Sequence, residues 1–229
     1  MGNTIKRVVT ALRRQARAKR ARVFRSNFNI TAAMRILDIG SEDGSSIATV
    51  LNSTGAHPKH VYIADIDADM VKKGEQQFGF VPVVIPESGR LPFDDGFFDI
   101  VYCSSVIEHV TVPKAEVWSI TDDEKFRSRA RQRQLVFAQE IRRLGKRYFV
   151  QTPNKWFPVE SHTWLPFVGY LSRSWQLRVL SFSNRYWVKR TNPDWYLLTA
   201  AELRALFPDA VIEHEKFLGL TKSLMAIKR

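Results

Sequence analysis

Short apolar runs alternate with segments of helical periodicity along most of the chain. Strands are predicted at residues 35–39, 61–64, 81–85, 98–103 and 148–152, and helices at 46–51, 68–77 and 125–144. Thr199 and Glu202 predict a capping box for a helix that ends at Leu206, and residues 211–217 and 223–228 predict a closing hairpin. Strands that alternate with helices form parallel sheets. The pattern therefore predicts a Rossmann-like three-layer α/β/α fold, whose mostly parallel sheet ends in a C-terminal antiparallel hairpin.

The first 33 residues differ from this pattern, and we predict that they form a basic amphipathic arm before the domain of residues 34–229. Apolar residues recur in the arm near helical spacing: Ile5, Val8, Val9, Leu12, Ala16 and Val23. No acidic residue precedes Asp38, so the ten Lys and Arg of residues 1–37 carry +10 of the net charge of +12. Four roles are open for such an arm: it packs on its own domain, contacts an anionic membrane surface, binds nucleic acid or acts as a transit peptide. Nucleic acid is the less favoured partner, because the rest of the chain is nearly neutral.

Composition restricts the class of protein. The single cysteine, Cys103, excludes an internal disulfide framework and a cysteine-based zinc cluster. No run of about 18 apolar residues predicts a membrane-spanning helix. We therefore expect a cytoplasmic protein, with contact between the arm and the inner face of the membrane as an additional possibility. The sequence does not indicate an oligomeric state.

A turn rich in glycine and acidic residues follows the first predicted strand. Residues 38–44 read DIGSEDG, and Gly40 and Gly44 allow a tight turn and the close approach of a ligand. Glu42 and Asp43 would repel the pyrophosphate of a dinucleotide, whereas S-adenosylmethionine (SAM) has no phosphate and carries an ammonium and a sulfonium. The turn favours SAM over a dinucleotide. The alternative is a turn without a ligand, in which Asp43 caps the following helix.

Polar residues also end the next two predicted strands. Asp65 ends the second strand, where a carboxylate can accept both hydroxyl hydrogens of a ribose. Glu87 and Ser88 follow the third strand, and they are placed to accept a hydrogen bond from an adenine amino group. Ligands of such sheets bind beyond the carboxyl ends of the strands, so these residues predict a nucleoside site. A solvated loop at Glu87 is the alternative.

Four motifs come in order at suitable spacing: DIG at 38–40, DIDADM at 65–70, LPFDDGFFDIV at 91–101 and IEHV at 107–110. Together they closely resemble the methyltransferase family that includes the ubiquinone- and menaquinone-biosynthesis enzymes. The resemblance covers residues 34–154 and implies a seven-stranded sheet, SAM as cofactor and SAM-dependent methyltransferase activity.

The resemblance also implies roles for single residues. Asp38 would lie near the ammonium of SAM, and Gly40 would face its methionine part. Cys103 and Ser104 would lie beside the methionine part and the point of methyl transfer. The predicted cofactor site is then Asp38, Gly40, Gly44, Asp65, Ile66, Glu87, Ser88, Cys103 and Ser104. Families of this kind usually have a second glycine where this chain has Glu42, whose side chain we expect to narrow the approach of the cofactor.

Two histidines are candidates for a catalytic base. SAM supplies an activated methyl group, so the protein has to align the acceptor and remove the proton of an acceptor hydroxyl. His109 lies in the IEHV motif, and His162 follows the fifth predicted strand. The alternatives are that His109, like Glu108, is structural and that His162 packs a loop. No cluster of His and Asp appears at metal-ligand spacing, so no metal ligand is predicted.

An aromatic-rich insertion at residues 155–198 is expected to cover the acceptor. It contains five of the six tryptophans of the chain, with interleaved basic residues that are candidates for contact with a phosphate or a membrane: Arg173, Arg178, Arg185, Lys189 and Arg190. This composition favours a small-molecule, saccharide or lipid acceptor, methylated at oxygen. Two alternatives are an RNA-modifying methyltransferase that grips RNA with the arm, and a non-catalytic protein of the same fold in which Glu42 blocks the cofactor.

Overall fold

Seven strands form one sheet in the computed structural model, which describes residues 2–187 and 189–229, with side chains from residue 15 onward. The strands are β1 (Ile36–Ile39), β2 (Val61–Asp65), β3 (Val81–Val84), β4 (Phe98–Ser104), β5 (Gly145–Pro153), β6 (Val211–Phe217) and β7 (Leu220–Lys228). Their order in the sheet is β3-β2-β1-β4-β5-β7-β6. β1 pairs in parallel with β2 and β4, β2 pairs in parallel with β3, and β6 and β7 are antiparallel. The predicted fold class is confirmed.

Within the described ranges the α-helices are α1 (Gly2–Asn27), α2 (Ser45–Leu51), α3 (Ala68–Phe78), α4 (Asp123–Leu144), α5 (Arg173–Tyr186) and α6 (Ala200–Leu206). The predicted capping box of α6 is present, because Thr199 and Glu202 bond reciprocally to each other's backbone. Gly145 directly follows α4 and begins β5. A Cβ at Gly145 would lie 2.7 Å from Cγ2 of Val101, so glycine is required where the backbone comes this close to β4.

The chain divides into two compact units, and β5 contributes residues to both. The first unit comprises residues 1–103, 140–149 and 228–229, and the second comprises 104–139 and 150–227. In the first unit the end of α1 belongs to the core, because Phe24 is fully buried and its ring contacts those of Tyr102 and Phe149 at centroid distances of 5.3 and 5.7 Å. The amphipathic pattern predicted at Ile5, Val8, Val9 and Leu12 lies outside the described side chains. The predicted boundary near residue 33 stays a prediction.

The second unit is organised around a buried arginine. Arg173, one of the residues considered for phosphate contact, is only 1% exposed. Its guanidinium donates to the carbonyl oxygens of Val117 and Ile120 and lies 3.8 Å from the ring centroid of Phe126. Arg173 therefore holds a loop against α5 and does not contact solvent ions. None of the helices in the described ranges has the length and apolar character needed to cross a membrane.

Candidate functional site

Asp65 joins the turns that follow three neighbouring strands of the first unit. Its Oδ2 accepts the backbone N–H of Glu42 at 2.9 Å, and its Oδ1 accepts that of Asp67 at 3.1 Å. Its carbonyl oxygen accepts the N–H of Ile85 at 2.9 Å. Gly40, with a φ of 72°, turns the chain after β1. Each carboxylate oxygen has a second lone pair, so Asp65 can still accept hydrogen bonds from a ligand.

Asp38 lies one residue before the end of β1, beside this turn, and no positively charged side chain of the described residues contributes to its pKa shift. The residue is 2% exposed, and its Oδ2 has no hydrogen-bond partner among the described residues. Burial, followed by the negative charges of Asp65 and Glu42, raises the pKa of Asp38 from 3.8 to about 8. We call Asp38, Glu42 and Asp65 the acidic rim. A ligand with an ammonium group would satisfy the unpaired oxygen, so these residues fit SAM.

The two acidic residues of the turn behave differently. Asp43 forms an ion pair of 2.7 Å with Lys73, whose hydrogen bond lowers the pKa of Asp43 to about 2. It also accepts the N–H of Ser45 at 3.2 Å, so it contributes to the start of α2. Glu42 is exposed and has a φ of 51°, in the left-handed region that glycine adopts most easily. This backbone conformation explains why families of this kind usually have glycine at the position.

Gly44 is required by packing within the first unit. Its φ is 72°, and an added Cβ would lie 3.1 Å from Phe80 and 3.2 Å from Ile63. The residue precedes α2 in a buried position, so its glycine is explained without a ligand.

The other predicted cofactor residues lie in contrasting environments. Cys103 is fully buried, whereas the side chain of Ile66 beside Asp65 is 67% exposed. Glu87 and Ser88 lie in an exposed loop, where Ser88 Oγ accepts the N–H of Arg90 at 3.4 Å. Ser104 belongs to the second unit and donates to Gln151 Oε1 at 2.7 Å. The structure thus brings Asp38, Gly40 and Asp65 together.

A second polar group forms within the second unit, where both predicted catalytic histidines meet three carboxylates. We call Glu108, His109, Glu160, His162 and Asp194 the imidazole cluster. The rings of His109 and His162 meet edge to face with a centroid distance of 4.7 Å. His162 Nδ1 lies 2.5 Å from Glu160 Oε1, and His109 Nδ1 lies 3.3 Å from Asp194 Oδ1.

The pairing shifts the pKa values of three members of the cluster. Burial would raise the pKa of Asp194, but the hydrogen bond and charge of His109 lower it. Burial alone would lower the pKa of His109, but its hydrogen bond to Asp194 and the charges of Glu108, Asp194 and Glu160 raise it. Burial would raise the pKa of Glu160, but the hydrogen bond and charge of His162 lower it. The cluster therefore favours a charged Glu160 and makes the imidazole of His109 take up a proton more readily than usual.

Glu108 is the most buried member of the cluster, with no exposed surface. Its Oε2 accepts the hydroxyl of Thr152 at 2.9 Å. Its Oε1 has no hydrogen-bond partner in the described part of the chain and lies 3.9 Å from His162 Nε2. One ligand atom from each of Glu108, His109 and His162 lies within 4.8 Å of the others, a spacing at which they could hold a metal ion.

Sequence reasoning located only part of this cluster. His109 and His162 were proposed separately, and Glu108 was noted only as a structural residue. Glu160 and Asp194 were missed. The position of Glu160 two residues before His162 was an available signal, whereas nothing in the spacing points to Asp194.

Comparison with known proteins agrees with this fold. Residues 37–134 match the family described as a methyltransferase domain. The chain is similar to magnesium protoporphyrin IX methyltransferase of Synechocystis PCC 6803, solved with bound SAH, at 17% identity and a TM-score of 0.51, covering 94% of this chain and 83% of that chain. It is also similar to the N-terminal domain of EvdMO1, solved in the presence of SAH and D-fucose, at 15% identity and a TM-score of 0.52, with the same coverage of 94% and 83%. No curated protein matches the sequence.

The sheet order is that of the Rossmann-like methyltransferase fold. Residues 37–134 belong to the methyltransferase-domain family, and the chain is a SAM-dependent methyltransferase. The predicted family, enzyme class and cofactor are confirmed.

Proposed function

We propose that this enzyme transfers the methyl group of SAM to a hydroxyl oxygen of a small-molecule, saccharide or lipid acceptor. The observation that carries the proposal is the imidazole cluster, because an imidazole held at Nδ1 by a carboxylate presents Nε2 as a base. Glu160 holds His162 in this way at 2.5 Å. Transfer to oxygen requires such a group, since the hydroxyl has to lose its proton.

The acidic rim is the proposed cofactor site. When bound, SAM supplies the electrophilic methyl group. Asp38 would hold the ammonium group, Asp65 the ribose hydroxyls, and Glu87 with Ser88 the adenine. Exposed Ile66 would pack against the adenine ring, because it offers an apolar side chain beside Asp65. Gly40, Gly44, Cys103 and Ser104 complete the proposed site.

His162 is the better candidate for contact with the acceptor. Its ring stacks on that of Trp195 at a centroid distance of 5.5 Å and an interplanar angle of 13°, which fixes its orientation. We propose that His109, paired with Asp194, supports the charge of the cluster and shares the proton.

The surface of the insertion favours an apolar or ring-bearing acceptor. Exposed aromatic side chains recur along it: Trp156, Phe167, Tyr170, Trp175, Phe182 and Tyr186. On α5, the side chains of Arg178 and Arg185 line a surface depression together with the aromatic rings of Phe182 and Tyr186. Aromatic faces suit a sugar ring or a lipid, and arginines suit an anionic group on it. A cytoplasmic location, and contact of the arm with the inner face of the membrane, stay predictions.

Calorimetry with SAH and a transfer assay test the proposal together. We expect SAH to bind in the micromolar range and labelled methyl to pass from SAM to a hydroxyl-bearing member of a panel of saccharides, quinols and lipids. Absence of SAH binding at millimolar concentration would support the non-catalytic alternative. Transfer only to amine or carbon acceptors would contradict the assignment to oxygen.

The RNA alternative predicts a different dependence on salt. Phosphate contacts make affinity fall steeply as salt rises. Phe24 belongs to the core, so the arm is best shortened by deleting residues 1–14. Under our proposal this deletion leaves catalysis on a soluble acceptor unchanged. Salt-sensitive RNA binding that disappears with the deletion, together with methylation of the RNA, would favour the alternative.

A further inference from the structure

Three side chains of metal-ligand type converge in the second unit although they are distant in sequence. Glu108 and His109 follow β4 in a short 3-10 turn, and His162 comes from the loop after β5. One ligand atom of each lies within 4.8 Å of the other two. Two imidazoles and one carboxylate are a common ligand set for divalent transition metals.

The unpaired oxygen of Glu108 indicates that the protein alone leaves this set incomplete. A buried carboxylate oxygen without a partner is unfavourable, and native proteins normally satisfy such groups with a hydrogen bond or an ion. Glu108 Oε1 is buried, has no partner among the described residues and lies 3.9 Å from His162 Nε2. That separation is too long for a hydrogen bond. Two ligands at about 2.0 Å from a tetrahedral ion are roughly 3.3 Å apart, so a small movement of the side chains would admit an ion.

Each imidazole has a carboxylate next to its Nδ1 atom. Glu160 contacts Nδ1 of His162, and Asp194 contacts Nδ1 of His109. Histidines that bind metals usually have a carboxylate or carbonyl on the nitrogen that does not ligate, which fixes the ring and raises its basicity. Here this support leaves Nε2 of each ring as the available ligand atom.

We propose that Glu108, His109 and His162 bind one divalent transition-metal ion of the zinc type. Two nitrogen ligands favour such an ion over Mg²⁺, which prefers oxygen. Three protein ligands leave a coordination position open, as in catalytic metal sites. This inference rests on the proposed function and deepens it: the acceptor hydroxyl would occupy the open position and lose its proton because the ion lowers its pKa. The histidines would then hold the ion as ligands, and the proton of the hydroxyl would pass to water as its oxygen accepts the methyl group and SAH leaves.

Metal binding to the purified full chain, treated with chelator and then dialysed, tests the site. We expect calorimetry to show one Zn²⁺ per chain and Co²⁺ to give visible absorption bands from nitrogen and oxygen ligands. Mg²⁺ at the same concentration should produce no heat. Glu108→Gln keeps an acceptor for Thr152, and we expect it to weaken Zn²⁺ binding at least 10-fold. His162→Asn should do the same, with circular dichroism confirming the fold of each variant.

Two controls separate this site from surface binding. Glu116→Gln removes an exposed carboxylate that pairs with Arg129, and it should leave Zn²⁺ affinity unchanged. His57 and His60 have rings 5.5 Å apart at the surface of the first unit. Loss of binding in His60→Ala but not in Glu108→Gln would overturn the proposal, as would a chain that binds no Zn²⁺ or Co²⁺.

These outcomes are distinguishable from failure of the proposed function, because the metal titrations use neither SAM nor an acceptor. A chain that binds no metal but methylates a hydroxyl keeps the imidazole base and loses only the metal. A chain that binds the metal but transfers no methyl to oxygen contradicts the proposed acceptor chemistry.

Discussion

The acidic rim and the imidazole cluster both gather carboxylates, but they balance the charge differently. In the rim, Asp38 is buried beside two further acidic residues, and one of its oxygens has no partner among the described residues. In the cluster, Glu160 and Asp194 each face an imidazole. A carboxylate without a counter-charge suits a cationic ligand, whereas a paired carboxylate orients a base and shifts its pKa. The two regions therefore predict separate effects on binding and on turnover.

The largest effect is expected in the cluster. His162→Asn removes the imidazole that Glu160 holds, and we expect kcat to fall on the order of 10²–10³-fold, the usual size of a lost acid–base group. SAH affinity should stay within a factor of two, because the residue is not part of the rim. Steady-state kinetics with calorimetry measures both quantities, and His60→Asn is the control. A loss of SAH affinity in His162→Asn as large as the loss of kcat would contradict the assignment of binding and turnover to separate regions.

The next largest effect is expected in the acidic rim, where a substitution should weaken cofactor binding. Asp65→Ala removes the acceptor of two backbone N–H groups and the proposed partner of the ribose, so we expect SAH affinity to fall about 10–100-fold. Circular dichroism should show the fold retained. Asp69→Ala, an exposed acidic residue in the first turn of α3, should leave the affinity unchanged. Unaltered affinity in Asp65→Ala would show that the ribose assignment is wrong.

The pH dependence of stability provides a third test. The pKa of Asp38 rises from 3.8 to about 8 on folding, so the folded state holds this proton more tightly than the unfolded state. The free energy of unfolding should therefore fall as pH rises between these values, by up to about 1.4 kcal/mol per pH unit, and level off above pH 8. Denaturant titrations of the cofactor-free protein would measure the slope. Asp38→Asn should remove the part of the slope that comes from the one extra proton held by the folded state. An identical slope in the variant would contradict the burial argument.

The smallest effect is expected for the hydroxyl group that donates a hydrogen bond to Glu108. Thr152→Val keeps the shape of the residue but removes the hydroxyl that donates to Glu108 Oε2 at 2.9 Å. We expect a loss of about 1 kcal/mol in the free energy of unfolding, because a second carboxylate oxygen loses its partner. The exposed Thr49→Val in α2 serves as the control for the substitution itself. A stabilised Thr152→Val protein would mean that Glu108 does not need this donor.

The sequence predicted the rim better than the cluster for a physical reason. Asp38 lies one residue before the end of β1, and Asp65 ends the adjacent parallel strand β2, so a local pattern of apolar runs already places them near each other. The cluster joins a turn after β4 to loops after β5 and before α6. Asp194 lies 85 residues after His109, and its position depends on how the insertion packs. Only packing brings these side chains together, and periodicity carries no information about it.

The same distinction applies to the insertion. Its tryptophans predicted an apolar surface, and several are exposed, but Trp195 is buried and stacks on His162. Arg173 is grouped by sequence with the other basic residues of the insertion, but it is the first residue of α5 and is buried. Composition describes the whole segment, whereas the exposure of each side chain depends on which face of its helix or loop packs against the core.

The left-handed backbone of Glu42 has a consequence for selectivity among the nucleotides of a cell. A residue other than glycine in this conformation carries a strain of about 1 kcal/mol, and in exchange the chain keeps a negative charge at the edge of the rim. Nucleoside triphosphates and dinucleotides share the adenosine of SAM but bring phosphates that this charge repels. Glu42→Gly would relax the turn, and it would also remove a barrier to ATP as a competitor.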